Sequence, residues 1–188
     1  MKSVCVFCGS SPGARPEYTA AARDMAGALA RRGLTLVYGG ASRGLMGTLA
    51  DAALAAGVPV VGVIPRALAR AEIAHAGLTE LAIVDSLYDR KRLMFERADA
   101  FVTLPGGFGT LDELAEVLTM SQLGLHAKPC GLLDVDGFFD PLIAFFDGSV
   151  SERFVRPEHR ALVTVEGDPD RLLEALERPQ PPAVGKWM

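Results

Sequence analysis

Short apolar runs and longer amphipathic stretches alternate along this chain from end to end. The runs are "SVCVF", "LTLVY", "PVVGVI", "LAIV", "AFVTL", "PCGLLD" and "ALVTV". They are nearly all apolar rather than alternating, the pattern of strands buried on both faces of a parallel sheet. Between them lie "PEYTAAARDMAGALARRG", "GLMGTLADAALAAG", "SLYDRKRLMFERA", "TLDELAEVLTMSQLGL", "FFDPLIAFFDGSV" and "DPDRLLEALER", which read as helices. Strand–helix repetition predicts an α/β fold: a Rossmann-like, doubly wound sheet of about seven mainly parallel strands with helices on both faces. Right-handed crossovers then bring every strand's C-terminal end to one edge, where such folds bind ligands near a switch in strand order. Gly33 and Gly57 read as helix stops. There is no repeat and no linker, so residues 1–188 are expected to form one domain, with a loose proline-rich tail from about residue 179.

Composition narrows the picture. The chain has 188 residues, enough for one full core, with 49% hydrophobic and 22% charged residues. A net charge of −4 does not suggest a broad nucleic-acid surface. The first apolar run, Val4 to Cys8, is too short for a signal peptide or a membrane span, which leads to the expectation of a cytoplasmic protein with no membrane partner. Cys5 and Cys8 form a C-x-x-C, but residues three apart on a strand point to opposite faces. A structural zinc site would need about four ligands, and the chain has no second pair, so core cysteines are the better reading. His75, His126 and His159 are scattered and read as structural or exposed. Neither a metal nor a cofactor is called for.

The fold sorts the loops by role. Those that follow strands carry function, and three are glycine-rich: "CGSSPGARP" with Gly9 and Ser10, "YGGASRGLMG" with Gly40, and "PGGFGT". Glycine and hydroxyl residues gather there, as expected where backbone amides meet an anion. Two familiar nucleotide loops fail. Gly39 and Gly44 have Walker A spacing, but Leu45 and Met46 follow in place of the lysine and hydroxyl residue. The first loop lacks the dinucleotide spacing, and "LTLVYGG" has no acid for a ribose.

The third loop differs in kind. Gly106, Gly107 and Gly109, with Phe108 between them, precede Thr110, which is expected to open a helix. A phosphate there would meet free N–H groups and the positive end of the dipole. With no lysine or metal-binding acid placed beside it, a monophosphate suits the loop better than a polyphosphate. Thr110-Leu111-Asp112-Glu113 also matches a capping box, in which Glu113 would bond back to the helix start. Location argues for chemistry instead, since Glu113 lies one turn from the proposed phosphate. The preceding helix puts Ser86, Arg90 and Met94 on one stripe, from which an arginine can pair with phosphate or with Glu113.

These residues resemble a known family. "PGGFGTLDE" fits the P-G-G-x-G-T-x-x-E signature of the Lonely Guy (LOG) proteins, the cytokinin-activating phosphoribohydrolases. "RKRLM" resembles that family's R-K-x-x-M segment, and "VYGGASRGLMG" and "CVFCGSS" resemble its other glycine loops. The resemblance covers essentially the whole chain. Such sequences have often been labelled lysine decarboxylases, but no lysine here marks a pyridoxal phosphate site. The resemblance implies cleavage of the N-glycosidic bond of a purine riboside 5′-monophosphate, releasing free base and ribose 5-phosphate. It implies Arg90 and Glu113 as the catalytic pair. It gives Gly106, Gly107, Phe108, Gly109, Thr110, Leu111 and Asp112 as the binding loop, with Lys91 nearby, Glu72 and Thr119 as further contacts, and Met94 as a wall. It also implies a homodimer.

Glycoside cleavage passes through an oxocarbenium-like state, which a carboxylate can stabilise or supply with activated water. Departures from the pattern bear on base selectivity: Leu87-Tyr88 stands where Met-His is frequent, and Ala41 where a third glycine is. Two alternatives are kept: AMP nucleosidase as the main activity, and a non-catalytic carrier resembling molybdenum-cofactor carriers. The presence of both Arg90 and Glu113 argues against a carrier.

Overall fold

The computed structural model describes residues 1–70 and 74–178. The strands are β1 (Ser3–Phe7), β2 (Thr35–Tyr38), β3 (Val60–Pro65), β4 (Glu80–Val84), β5 (Ala100–Thr103), β6 (Cys130–Leu133) and β7 (Val163–Glu166). They form one sheet in the order β4-β3-β2-β1-β5-β6-β7, and every neighbouring pair is parallel. The chain winds outward from β1 to β4, returns to place β5 beside β1, and winds outward again. The switch point therefore lies between β1 and β5.

Local sequence explains the helices. In α1 (Pro16–Arg31), proline sits in the first turn, where it costs no hydrogen bond, and Glu17 faces the positive end of the dipole. Ala22, Met25, Ala26 and Leu29 form its buried stripe. The helix stops at Gly33, with φ +62°, and Leu34 N–H closes on Leu29 O at 3.1 Å. The same closure ends α2 (Gly44–Ala55): Gly57 has φ +76°, and Val58 N–H reaches Ala53 O at 2.9 Å. Both stops match the sequence expectation.

The sheet is buried on both sides. On one side α1, α2 and α8 (Pro169–Glu177) bury Val4, Val6, Leu36, Val102 and Leu133. On the other, α4 (Leu87–Arg97) and α5 (Phe108–Gln122) cover Cys5, Phe7, Val37, Val63 and Phe101. Cys5 and Cys8 belong to opposite clusters, and all three cysteines are free and buried. A third cluster joins α5 to α6 (Asp140–Ser151) through Leu114, Leu132 and Phe139. Two short helices were not foreseen, α3 (Arg66–Arg70) and α7 (Pro157–Arg160). Edge strand β4 is half open, with Ile83 exposed, so its apolar run does not mark burial on both faces. Among the described residues no helix is long and apolar enough to cross a membrane. The tail expected from residue 179 lies outside the described residues.

Candidate active site

The three glycine loops meet at the switch point. Gly9 N–H donates to Pro105 O at 3.0 Å, which joins the first loop to the third. Leu45 and Met46 N–H groups donate to Gly9 O at 3.1 and 3.4 Å, which joins the first to the second. A carbonyl of the protein thus occupies the first turn of α2. Gly9 is buried in this junction and Ser10 is exposed beside it. Gly40 is buried with φ +75°, and its carbonyl accepts from His75 N–H at 3.0 Å.

At α5 the structure corrects the expected start. The helix begins at Phe108 with Gly107 as N-cap, two residues before Thr110. Thr110 is the third helical residue and its side chain lies in the space left by Gly106, where a Cβ would collide with it. Thr110 therefore does not cap, and Glu113, at the sixth helical position, is not the partner in a capping box. The first helical bond is Leu111 N–H to Gly107 O at 3.0 Å, so the amides of Phe108, Gly109 and Thr110 precede it. Gly107 and Gly109 would carry a Cβ without meeting any protein atom within 4 Å, and neither has a positive φ. Packing does not require glycine at either position, and the missing side chains leave the turn open to an approaching group.

Behind this turn Glu113 is 6% exposed. Arg90 Nη1 lies 3.1 Å from Glu113 Oε1. The approach is ionic rather than a well-aligned hydrogen bond, and Oε1 keeps an unfilled acceptor position in a buried setting. Burial pushes the Glu113 carboxyl up to about 6, Arg90 pulls it back, and neighbouring Asp112 raises it. Arg90 reaches this place because Ser86 caps α4: its Oγ accepts from Asp89 N–H at 3.0 Å and sets the register of the helix. Arg90 Nε also donates to Val63 O at 3.2 Å, within β3. The sequence left Arg90 to pair with phosphate or with Glu113; the structure shows the second.

Lys91 is held differently. Its Nζ lies 3.0 Å from both Asp112 and Glu116 carboxylates, bridging α4 to α5. Burial disfavours its charge, but these two bonds outweigh burial and raise its pKa. A cavity of about 100 Å³ opens beside Glu113, lined by Phe7, Tyr88, Lys91, Arg92, Phe95, Glu116, Val117 and Met120. The sequence reading missed most of this wall. Helical spacing carried the signal, since 113, 116, 117 and 120 share one face. Under the wall Phe7 stacks on Phe101 and Phe101 on Phe95, with centroids 5.8 and 5.4 Å apart.

Other expected site residues lie elsewhere. Met94 is 1% exposed and packs in the core under α4, so it offers a ligand no open surface. Leu111 and Thr119 line a second, apolar groove of about 540 Å³ between α5 and α6, with Leu118, Phe145 and Phe146. Thr119 lies six positions after Glu113, which turns the helix by a net ~120° and puts them on different faces. Phe108 is 94% exposed at the start of α5, and Asp112 is exposed. Glu72 lies outside the described residues. The histidines are engaged structurally: His75 with Asp51 at 2.9 Å, His126 with Val117 O at 2.8 Å, and buried His159 with Gln122 at 3.1 Å.

Residues 46–176 match the model of a family described as possible lysine decarboxylase. The chain is 50% identical over 179 residues to a cytokinin riboside 5′-monophosphate phosphoribohydrolase of Rhodococcoides fascians, covering 95% of this chain and 90% of that one. It is 46% identical over 176 residues to the cytokinin riboside 5′-monophosphate phosphoribohydrolase LOG2 of Arabidopsis thaliana, covering 94% and 83%. Among solved structures, the fold is similar to a molybdenum cofactor binding protein of Rippkaea orientalis, with TM-score 0.71 and 19% identity over 94% of this chain and 96% of that one. A molybdenum cofactor carrier protein of Chlamydomonas reinhardtii also has TM-score 0.71, at 22% identity over 94% and 96%. At such identities these structures speak for the fold alone.

Proposed function

From the premise that the chain belongs to the LOG family of cytokinin riboside 5′-monophosphate phosphoribohydrolases, we propose how its own residues carry out that hydrolysis. The substrate is a cytokinin riboside 5′-monophosphate, and water splits its N-glycosidic bond. The base leaves with a proton on nitrogen and the hydroxyl adds to C1 of ribose 5-phosphate. The observation that carries the assignment of roles is the buried Arg90–Glu113 pair, one turn behind an open helix N-terminus.

The phosphate binds at the first turn of α5, over Gly107 and Gly109, where early amides and the dipole favour an anion. Anchoring the phosphate fixes the ribose, and Glu113 faces C1, where positive charge develops. As a carboxylate it stabilises that charge or accepts a proton from the attacking water. Arg90 keeps Glu113 ionised and oriented. Lys91 braces Asp112 and Glu116 beside the pair and adds positive charge.

The 100 Å³ cavity is smaller than the ~300 Å³ usual for a small-molecule site. A second copy would supply the missing wall. We take the apolar α5–α6 groove, with Leu111, Leu118 and Phe145, as the face of a homodimer. Thr119 would then reach substrate through that interface rather than within one chain. A monomer by light scattering at assay concentration would overturn the dimer. The protein is proposed to act in the cytoplasm.

AMP remains an alternative main substrate. It lacks only the N6 substituent, and Tyr88, at the cavity beside Glu113, is the departure from the family pattern best placed to sense that group. Incubation with isopentenyladenosine monophosphate and with AMP, followed by chromatography of the free bases, tests the reading. The expected result is faster base release from the substituted nucleotide. Faster release from AMP would make AMP nucleosidase the main activity, and no base from either would end the hydrolase reading.

A further inference from the structure

Two adjacent glycines after β2 are glycine for different reasons. Gly40 has φ +75°, and a Cβ there would lie 3.1 Å from Ile64 Cβ and 3.2 Å from the Val63 backbone. Its demand is a matter of backbone. Gly39 has no positive φ, so its backbone accepts any L residue. A Cβ on Gly39 would collide with Nη2 of Arg90 and approach its Cζ to 3.0 Å, with Met46 Sδ at 2.9 Å on the other side. The obstacle to a side chain at Gly39 is therefore made of side-chain ends, chiefly the guanidinium.

We propose that Gly39 is a positioning residue: its missing side chain is the slot that lets the Arg90 guanidinium lie against Glu113. Three contacts then fix that guanidinium. Nε–H is held by Val63 O, Nη1 faces Glu113, and Nη2 occupies the slot. A methyl group at Gly39 pushes out the flexible member, Arg90, and leaves the fold in place. Glu113 then keeps its burial and loses its counter-charge. Of its other charged neighbours, Lys91 on α4 also lowers the Glu113 pKa, but it is tied to Asp112 and Glu116, which both raise it from its own helix. Among the described residues, β1 and its end bring only the buried thiols of Cys5 and Cys8, both pushed up by burial and further by Glu113. Only the kinetic consequence rests on the proposed hydrolysis; the slot itself does not.

The test is Gly39→Ala in two backgrounds, the natural chain and Arg90→Lys, whose side chain has no second terminal nitrogen to enter the slot. The Glu113 carboxyl is titrated by ¹³C NMR, assigned with Glu113→Gln, and kcat and KM are measured alongside. In the natural background Gly39→Ala should titrate Glu113 at higher pH and lower kcat about a hundredfold, the scale of a small misplacement of a reacting group. KM should stay within about threefold, because the phosphate site is separate. In the Arg90→Lys background Gly39→Ala should add no more than about twofold, the non-additivity expected of two residues sharing one contact.

Equal losses in both backgrounds, or an unchanged Glu113 titration, overturn the proposal. If no nucleotide is cleaved at all, the hydrolase reading fails and the titration alone decides on the slot. If cleavage persists with an unchanged titration, the slot fails and the hydrolase stands. Should Gly39→Ala not fold, Met46→Ala in the same chain relieves the sulfur contact. Failure of that variant to fold even with Arg90→Lys would place the clash elsewhere and sink the proposal.

Discussion

Two glycine loops at the switch point each lead into a helix, and their first turns differ. At α2 the amides of Leu45 and Met46 are taken by Gly9 O, and Gly44 is pressed against the Ser10 backbone with φ +60°. At α5 the amides before Leu111 precede any helical bond, and Gly107 and Gly109 face open space. One loop uses glycine to close the protein on itself, the other to leave room for something else. A count of glycines cannot tell these apart. What separates them is which atom a Cβ would meet.

Substitutions can break that contrast. The largest effect is expected behind the open loop. Glu113→Gln should keep the fold and lower kcat by about 10²–10⁴-fold, the usual scale for an acid–base group. Base release in the natural protein should rise with pH through about 6 and level off above, because the ionised form of Glu113 is the active one. An acidic limb near pH 4 would mean that Glu113 is not the titrating group. Next, Gly109→Val fills the space at the open turn. It should lower kcat/KM about a hundredfold through lost phosphate anchoring, with an unchanged melting temperature.

Gly44→Ala should do the reverse. It places a left-handed backbone and a clash at the closed turn, which costs about 3 kcal/mol of stability in urea titration, while the active fraction keeps its KM. If Gly109→Val melted early and Gly44→Ala lost only affinity, the contrast would be wrong. The smallest effect is expected at the cavity wall, where Tyr88→Ala should alter the preference between substituted nucleotide and AMP by about tenfold, as the loss of one apolar contact does.

The sheet was legible because its strands are covered on both faces, which writes an unbroken apolar run such as "AFVTL" into the chain. Edge strand β4 carries the same kind of run, "LAIV", yet is only partly buried, so such a run does not by itself report cover on both faces. The start of α5 was misread for a definite reason. Thr-x-x-Glu is a fair capping signal, but Gly106 opens space that draws the Thr110 side chain inward, and Gly107 takes the N-cap position. The pairing of Arg90 with Glu113 was one of two open options, because spacing fixes a stripe on one helix and not which neighbouring helix it faces. Thr119 came by resemblance alone; its spacing from Glu113 already sets it on another face of α5, but that this face lines the α5–α6 groove is tertiary structure.

The most direct measurement compares isopentenyladenosine 5′-monophosphate with the same riboside lacking phosphate, in the natural protein and in Glu113→Gln. The account predicts rapid base release only from the monophosphate and only with Glu113 present, with the variant still binding that nucleotide. Equal cleavage of the bare riboside would remove the phosphate from the first turn of α5. Unchanged turnover in Glu113→Gln would remove the carboxylate from the chemistry.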